Sequence, residues 1–222
     1  MLNNKVILIT GATSGVGAAA ARMFAREGAH VVLSGRRAKL GEMVAAEIRA
    51  TGGKASYHRA DISRESDIDA LVASVVRAHG RLDGAFNSAR VERRFSTLID
   101  SAAADFDTAL AVNFRGTWLA MRAEARAMMR NGGAIVNTSS YLTTNGFPRG
   151  SIDSATKGAI EAMTRAAAHE LADTNIRVNA IQLYGSPEEI AATAAWLCSE
   201  DASSITGETI SVIRHQAELR AS

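Results

Sequence analysis

Short β-branched segments alternate with longer alanine-rich amphipathic segments, and this alternation constrains the fold more than any other feature of the sequence. It is typical of repeated β-α-β units, in which helices cover both faces of a parallel sheet. The predicted strands are Lys5–Thr10, His30–Ser34, Lys54–Arg59, Leu82–Asn87, Ala134–Ser139, Ile176–Ile181 and Thr209–Val212. The predicted helices are Val16–Glu27, Ala38–Thr51, Arg64–His79, Ala104–Met129, Ser154–Ala172 and Pro187–Ser199.

Residues that favour the ends of helices agree with this pattern. Gly28 and Gly52 are placed to end helices, and Ser186 followed by Pro187 is placed to begin one. No repeat, low-complexity tract or linker divides the 222 residues. We therefore expect one α/β domain with a doubly wound sheet over residues 1–212, and an irregular tail over residues 213–222.

Charge and cysteine usage exclude several classes of function. Lys and Arg number 25 against 23 Asp and Glu, so no large field favours nucleic acid or an anionic membrane. The single cysteine, Cys198, lies in an apolar helical context and is predicted to be in the core. No signal peptide or membrane-spanning run is evident, which predicts a soluble cytoplasmic protein. No metal site is expected, because the histidines show no ligand spacing: His30, His58, His79, His169 and His215.

A glycine-rich turn follows the first predicted strand. Gly11 permits the sharp exit from the strand, Gly15 lets the backbone approach a pyrophosphate, and Gly17 lets the next helix pack on the sheet. The helix N-terminus adds N–H donors and a positive dipole end. We expect a nucleotide site here rather than a plain tight connection, with Thr13, Ser14 and Val16 as the other members of the turn.

The same residues resemble the glycine pattern of the short-chain dehydrogenase/reductase superfamily. The resemblance spans nearly the whole chain and continues through Asp61-Ile62, Asn87-Ser88-Ala89-Arg90, Asn113, Ser139-Ser140 and Ser154-Ala155-Thr156-Lys157-Gly158. It implies a Rossmann fold with strand order 3-2-1-4-5-6-7, a nicotinamide cofactor, redox chemistry on small molecules, and a homodimer or homotetramer. It also implies that Asp61 and Ile62 contact the adenine, and that Asn87 and Ala89 lie beneath the cofactor.

The end of the second strand indicates which dinucleotide is bound. NAD-selective sites place an acidic residue there, whereas this chain has Gly35 followed by Arg36 and Arg37. Two guanidinium groups suit a 2′-phosphate, so NADP(H) is the predicted cofactor. The alternative is that both arginines only begin a solvated helix.

The catalytic pattern departs from the family at one position. The family carries Tyr-x-x-x-Lys on one helix, and Lys157 matches the lysine, but Asp153 stands where the tyrosine belongs. The resemblance implies a centre made of Asn113, Ser140, Asp153 and Lys157. An aspartate beside a lysine is ionised at pH 7, so it accepts protons and does not donate them.

Three further departures concern the surroundings of that centre. Only Gln182–Ser186 connects the sixth strand to the last helix, where the family inserts a lobe that covers the substrate. Arg90 stands where the family has glycine. Its side chain has three alternative positions: across the cofactor, in the mouth of the cleft, or in a solvated loop. The last strand continues into Ser211–His215 rather than the family's Asp-Gly-Gly.

Three functions are compatible with this sequence. The first is an NADP(H)-binding oxidoreductase-like protein, weak on ketones and alcohols and repurposed for imine reduction, proton transfer or cyclisation. The second is a non-catalytic partner subunit or NADP(H)-dependent regulator, associated with an active family member. The third is a carbonyl reductase in which Tyr141 or Tyr184 supplies the proton.

Overall fold

The computed structural model of the chain describes residues 1–91 and 95–213. Seven parallel strands form one sheet in the order β3-β2-β1-β4-β5-β6-β7, which confirms the predicted architecture. The strands are Val6–Thr10 (β1), His30–Gly35 (β2), Lys54–Arg59 (β3), Gly84–Asn87 (β4), Gly133–Ser140 (β5), Ile176–Tyr184 (β6) and Thr209–Ile213 (β7). Ile213 thus belongs to the sheet, and the rest of the predicted tail lies outside the described residues.

Five of the six predicted helices are present, with ends that differ by at most three residues. The helices of the structure are Gly15–Arg26 (α1), Ala38–Ala50 (α2), Glu65–His79 (α3), Ala103–Ala109 (α4), Gly116–Met128 (α5), Leu142–Asn145 (α6), Ser151–Glu170 (α7) and Pro187–Leu197 (α8). Gly28 and Gly52 have φ angles of 92° and 83° directly after helix ends, as predicted. None of the helices in the described ranges is long and apolar enough to cross a membrane.

One prediction of local structure is wrong, and one short helix was missed. The uninterrupted helix over Ala104–Met129 is divided by a π-helical segment at Leu110–Arg115, and α6 was not predicted. The π segment contains neither Gly nor Pro, so helix propensity does not distinguish it from the α-helix on either side.

Side chains of the buried strands alternate between two cores, one on each face of the sheet. Along β1, Ile7 and Ile9 join the core under α1, α2 and α8, whereas Val6 and Leu8 join the core under α3, α5 and α7. Cys198 is buried in the first of these cores, as predicted, and burial raises the pKa of its thiol to about 12. A sheet covered on both faces requires nearly continuous apolar strands, and β1 is buried at every residue.

The connection between β6 and α8 is shorter than the sequence suggested. β6 continues past Ile181 because Gln182, Leu183 and Tyr184 pair with β7. Only Gly185 and Ser186 then separate the strand from α8.

Candidate functional site

A cavity of about 730 Å³ opens at the carboxyl ends of the central strands. Open α/β sheets bind ligands at this edge, where the strand order reverses between β1 and β4. The cavity is lined by the turn after β1, the residues after β2 and β4, the end of β5, and one face of α7. All four predicted catalytic positions line it: Asn113, Ser140, Asp153 and Lys157.

The turn after β1 is shaped to leave backbone open to the cavity. Gly11 has a φ of 71°, and a Cβ there would lie 2.6 Å from the Cα of Ala89. A Cβ on Gly17 would collide with the carbonyl oxygen of Gly11. A Cβ on Gly15, by contrast, would meet no described atom within 4 Å. The turn is therefore closed toward the protein and open toward the cavity, which fits a pyrophosphate held on backbone N–H groups.

Arg36 and Arg37 follow β2 and also line the cavity. The Arg37 guanidinium donates from Nη2 to Thr13 Oγ1 at 2.8 Å and to Ser14 Oγ at 2.5 Å. A Cβ on Gly35 would lie 2.8 Å from Thr13 Cγ2, so Thr13 leaves little room for an acidic side chain at that position. The turn thus carries guanidinium groups where NAD-selective sites carry a carboxylate.

Three predicted cofactor residues do not line the cavity: Gly17, Asp61 and Asn87. The Asp61 carboxylate accepts hydrogen bonds from the Ser63 N–H at 3.0 Å and the Ser63 hydroxyl at 2.8 Å. Burial raises the pKa of Asp61, but these bonds and the nearby arginines outweigh burial and lower it overall. The neighbouring Ile62 and Ala89 do line the cavity, as do Thr13, Ser14 and Val16.

Lys157 is buried at the inner end of the cavity. Its Nζ donates to the Thr138 carbonyl at 2.7 Å and to Thr138 Oγ1 at 3.3 Å. Burial, together with the charge of Arg90, lowers the pKa of Lys157 to about 8, although Asp153 acts in the opposite direction. The ammonium group can therefore exchange its proton close to neutral pH.

The other members of the centre come from three elements. Asp153 is half-buried in the first turn of α7, four residues before Lys157, so both residues lie on one face of the helix. Ser140 ends β5 and accepts a hydrogen bond from the Leu142 N–H at 3.3 Å. Asn113 is held in the π segment, and its Oδ1 accepts from the Val91 N–H at 2.9 Å.

Residues 5–193 match the family model described as short chain dehydrogenase. The chain belongs to this family. It is 34% identical to a 2,5-dichloro-2,5-cyclohexadiene-1,4-diol dehydrogenase of Sphingobium indicum, in an alignment covering 94% of this chain and 95% of the relative. It is 36% identical to an A-factor type gamma-butyrolactone 1'-reductase (1S-forming) of Streptomyces virginiae, over 96% and 95% of the two chains.

Solved structures of the family superpose closely. A short chain dehydrogenase from Mycobacterium smegmatis gives a TM-score of 0.92 at 31% identity, with 97% of this chain and 94% of that chain covered. An NAD+-bound xylitol dehydrogenase also gives 0.92, at 30% identity and 95% and 98% coverage. That xylitol dehydrogenase binds NAD+. The open turn at Gly15 of this chain leaves room for a dinucleotide.

The chain is shorter than these relatives within the aligned region. The alignment with the Sphingobium dehydrogenase spans 241 positions, whereas 94% of 222 residues is about 209. About thirty aligned positions therefore have no counterpart in this chain.

Two carboxylates near the site were missed by sequence reasoning. Glu124 is fully buried on α5 and accepts from Asn87 Nδ2 at 2.8 Å. Its other oxygen, Oε1, has no hydrogen-bond partner within the described ranges. Burial raises the pKa of Glu124 to about 7, while the bond from Asn87 acts to lower it. The spacing of Met121, Glu124 and Met128 places the glutamate on the apolar face of the helix, which is the signal that identifies it.

Glu161 is the second, four residues after Lys157 on the same face of α7. Its Oε1 accepts hydrogen bonds from the Ser139 hydroxyl, from Thr143 Oγ1 at 2.7 Å and from Gln182 Nε2 at 3.0 Å. It therefore joins β5, α6 and β6 directly beside Ser140.

The two tyrosines considered as proton donors stack on each other, with ring centroids 4.4 Å apart. Tyr184 lines the cavity. Within the described part of the chain, neither phenol forms a hydrogen bond, and the bonds of Ser140 and Lys157 go to Leu142 and Thr138.

Proposed function

We propose that the chain is an NADP(H)-dependent oxidoreductase whose centre is adapted to substrates that need no proton from a phenol, iminium compounds foremost. The observation that carries this proposal is Asp153, which lines the cavity one helical turn before Lys157. The position is where the family pattern places its tyrosine.

The preference for NADP(H) is supported by the residues after β2. Arg36 and Arg37 offer charged forked donors beside the open turn, and Thr13 crowds the position where an acid would select NAD. When bound, the nicotinamide ring supplies or accepts a hydride. The residues proposed to hold this cofactor are Gly11, Thr13, Ser14, Gly15, Val16, Arg36, Arg37, Ile62, Ala89 and Lys157.

The preference for iminium compounds follows from the supply of protons. Reduction of a ketone requires a proton at the developing alkoxide, and an ionised carboxylate at position 153 has none to give. An iminium ion already carries its proton on nitrogen, so reduction to the amine needs no donor from the protein. Asp153 also places a negative charge where a cationic substrate benefits from it.

The short connection after β6 supports the same conclusion. Gly185 and Ser186 alone connect β6 to α8, so this connection has no segment to cover the cavity. Water that enters an active site weakens the electrostatic stabilisation of a charged transition state. Ketone reduction develops a negative charge on oxygen, so it loses more of this stabilisation than iminium reduction, in which a positive charge is neutralised.

Steady-state NADPH oxidation with acetophenone and with 2-phenyl-1-pyrroline tests the proposal. We expect turnover of the imine and little of the ketone. Asp153→Tyr should raise ketone reduction by about 100-fold or more, because a general acid contributes about that factor. Asp153→Asn is the matched control and should not raise it. Robust ketone reduction by the unmodified protein would contradict the proposal.

Tyr184 supports a second candidate function, an ordinary carbonyl reductase with a replacement donor, because its ring lines the cavity. In that case the unmodified protein reduces ketones, and Tyr184→Phe abolishes the activity while Tyr141→Phe does not. Calorimetric titration with NADPH and NADH separates both functions from a non-catalytic partner subunit, for which we expect no binding.

We further propose a homodimer or homotetramer built on the α4–α5 surface. Three large apolar side chains there are exposed in the single chain: Phe106, Leu110 and Trp118. Surfaces of this kind are typical of interfaces between subunits. Light scattering that gives the mass of one chain would exclude this assembly, and a complex with a second family member would instead indicate a hetero-oligomer.

A further inference from the structure

Arg90 is a cation of the cavity that has no partner among the residues the structure describes. It follows β4, lines the cavity and is exposed. It forms no hydrogen bond or ion pair with any residue in the described ranges. Its backbone is nevertheless held on both sides, because Ala89 packs against Gly11 and the Val91 N–H donates to Asn113 Oδ1 at 2.9 Å. A guanidinium group that is anchored at its backbone and lines a concave site is suited to bind an oxyanion.

The charges around the cavity favour an anion at this end. The described lining residues include four cations, Arg36, Arg37, Arg90 and Lys157, against the single carboxylate of Asp153. Arg36 and Arg37 lie after β2, beside the turn that suits a dinucleotide. Arg90 lies near enough to Lys157 for its charge to lower the pKa of that lysine. Among the described lining residues, Arg90 and Lys157 thus face the carboxylate of Asp153 at the catalytic end of the cavity.

Aromatic and apolar side chains line the same cavity as Arg90. Phe95 and Tyr184 both line the cavity, together with Leu142. Each ring is supported by a second one: Phe147 lies 5.6 Å from Phe95, and Tyr141 lies 4.4 Å from Tyr184, measured between centroids. Phe95 keeps 47% of its surface exposed, so this apolar surface is available to a ligand.

We propose that Arg90 determines substrate specificity by binding a carboxylate, and that the substrate is a small carboxylate whose planar apolar body lies against Phe95 and Tyr184. The inference rests on the proposed function in taking this cavity as a substrate site. A carboxylate can accept two parallel hydrogen bonds from one guanidinium, which a neutral amide cannot reproduce. The proposed class is therefore an imino acid with an aromatic or other planar apolar group.

Calorimetric binding to the full chain, with and without NADPH, tests this without requiring turnover. The probes are phenylglyoxylate and its neutral amide, phenylglyoxamide, which share one apolar body. We expect phenylglyoxylate to bind at least about 10-fold more tightly, since a charge-assisted pair contributes about that factor or more. Arg90→Gln should remove this preference and change amide binding by less than about twofold. Arg130→Gln removes an exposed arginine outside the cavity and should leave both affinities unchanged.

Two results would overturn the assignment of Arg90. One is equal binding of the acid and the amide to the unmodified protein. The other is that Arg90→Gln weakens NADPH and NADH alike, because Arg90 would then bind the phosphates of the cofactor. Selective binding of phenylglyoxylate without turnover of any imine contradicts the proposed reaction but supports the role of Arg90. Phe95→Ser should weaken acid and amide equally, which separates the apolar contribution from the charge.

Discussion

Single residues set the charge of the cavity, and Gly35 illustrates how much of this was predictable. Its lack of an acidic side chain and the two arginines after it are evident in the sequence. Two further features depend on side-chain positions in the turn after β1. Thr13 crowds the position of Gly35, and hydrogen bonds hold Arg37 on Thr13 and Ser14. No spacing rule gives those positions, because the residues lie 23 and 24 positions apart.

The first prediction concerns Arg37→Ala. We expect the variant to bind NADPH about 10-fold more weakly, since it loses a charge-assisted contact to the 2′-phosphate. NADH lacks that phosphate, and its affinity should change by less than about twofold. Titration followed by nicotinamide fluorescence measures both constants, and Arg26→Ala, at an exposed arginine on α1, is the control. Equal losses for the two cofactors would mean that Arg37 only shapes the turn.

At the scale of elements, periodicity predicted every strand and the long helices, because buried parallel strands and amphipathic helices differ strongly in pattern. The predictions fail where contacts between distant segments determine the local structure. β6 extends to Tyr184 because β7 lies beside it, and α6 is a single turn that packs on α7. The π segment carries Asn113 to Val91, a contact between residues 22 positions apart. Patterns within one segment do not contain such information.

The second prediction concerns the start of α8, which the sequence identified from Ser186 and Pro187. The Ser186 hydroxyl accepts from the Glu189 N–H at 3.2 Å, and Glu189 Oε2 accepts from the Ser186 N–H at 2.7 Å, which completes a capping box. Ser186→Ala should lower the free energy of unfolding by about 1 kcal/mol, as measured by urea denaturation. Ser151→Ala is the matched control, because Ser151 is exposed at the start of α7 and makes no hydrogen bond to a described residue. Equal effects of the two variants would show that the cap adds no stability.

At the scale of the whole molecule, the site exists because parallel strands bring their carboxyl ends to one edge of the sheet. Residues as distant in sequence as Gly15, Arg90 and Lys157 therefore line one cavity, and this convergence was predictable from topology alone. The hydrogen bonds of the polar groups beneath the site could not be predicted in this way. Asn87 bonds Thr10, Glu124 and Asn137 across two strands and a helix, so its role emerges only when the sheet is assembled.

The third prediction follows from that buried group and concerns the stability of the entire fold. Burial raises the pKa of Glu124 from 4.5 to about 7, so between these values the folded chain holds a proton that the unfolded chain releases. The free energy of unfolding should therefore fall as pH rises through this window, with the full loss reached above pH 7. At about 1.4 kcal/mol per pH unit, the loss is on the order of 3 kcal/mol.

Glu124→Gln removes the titration and keeps an acceptor for Asn87. Urea unfolding at pH 5, 6, 7 and 8 should show the variant gaining stability relative to the unmodified protein as pH rises, by about 3 kcal/mol over the range. Glu170→Gln, at an exposed position near the end of α7, should follow the unmodified protein at each pH. Parallel profiles for Glu124→Gln and the unmodified protein would mean that Glu124 is not the group whose burial makes the fold sensitive to pH.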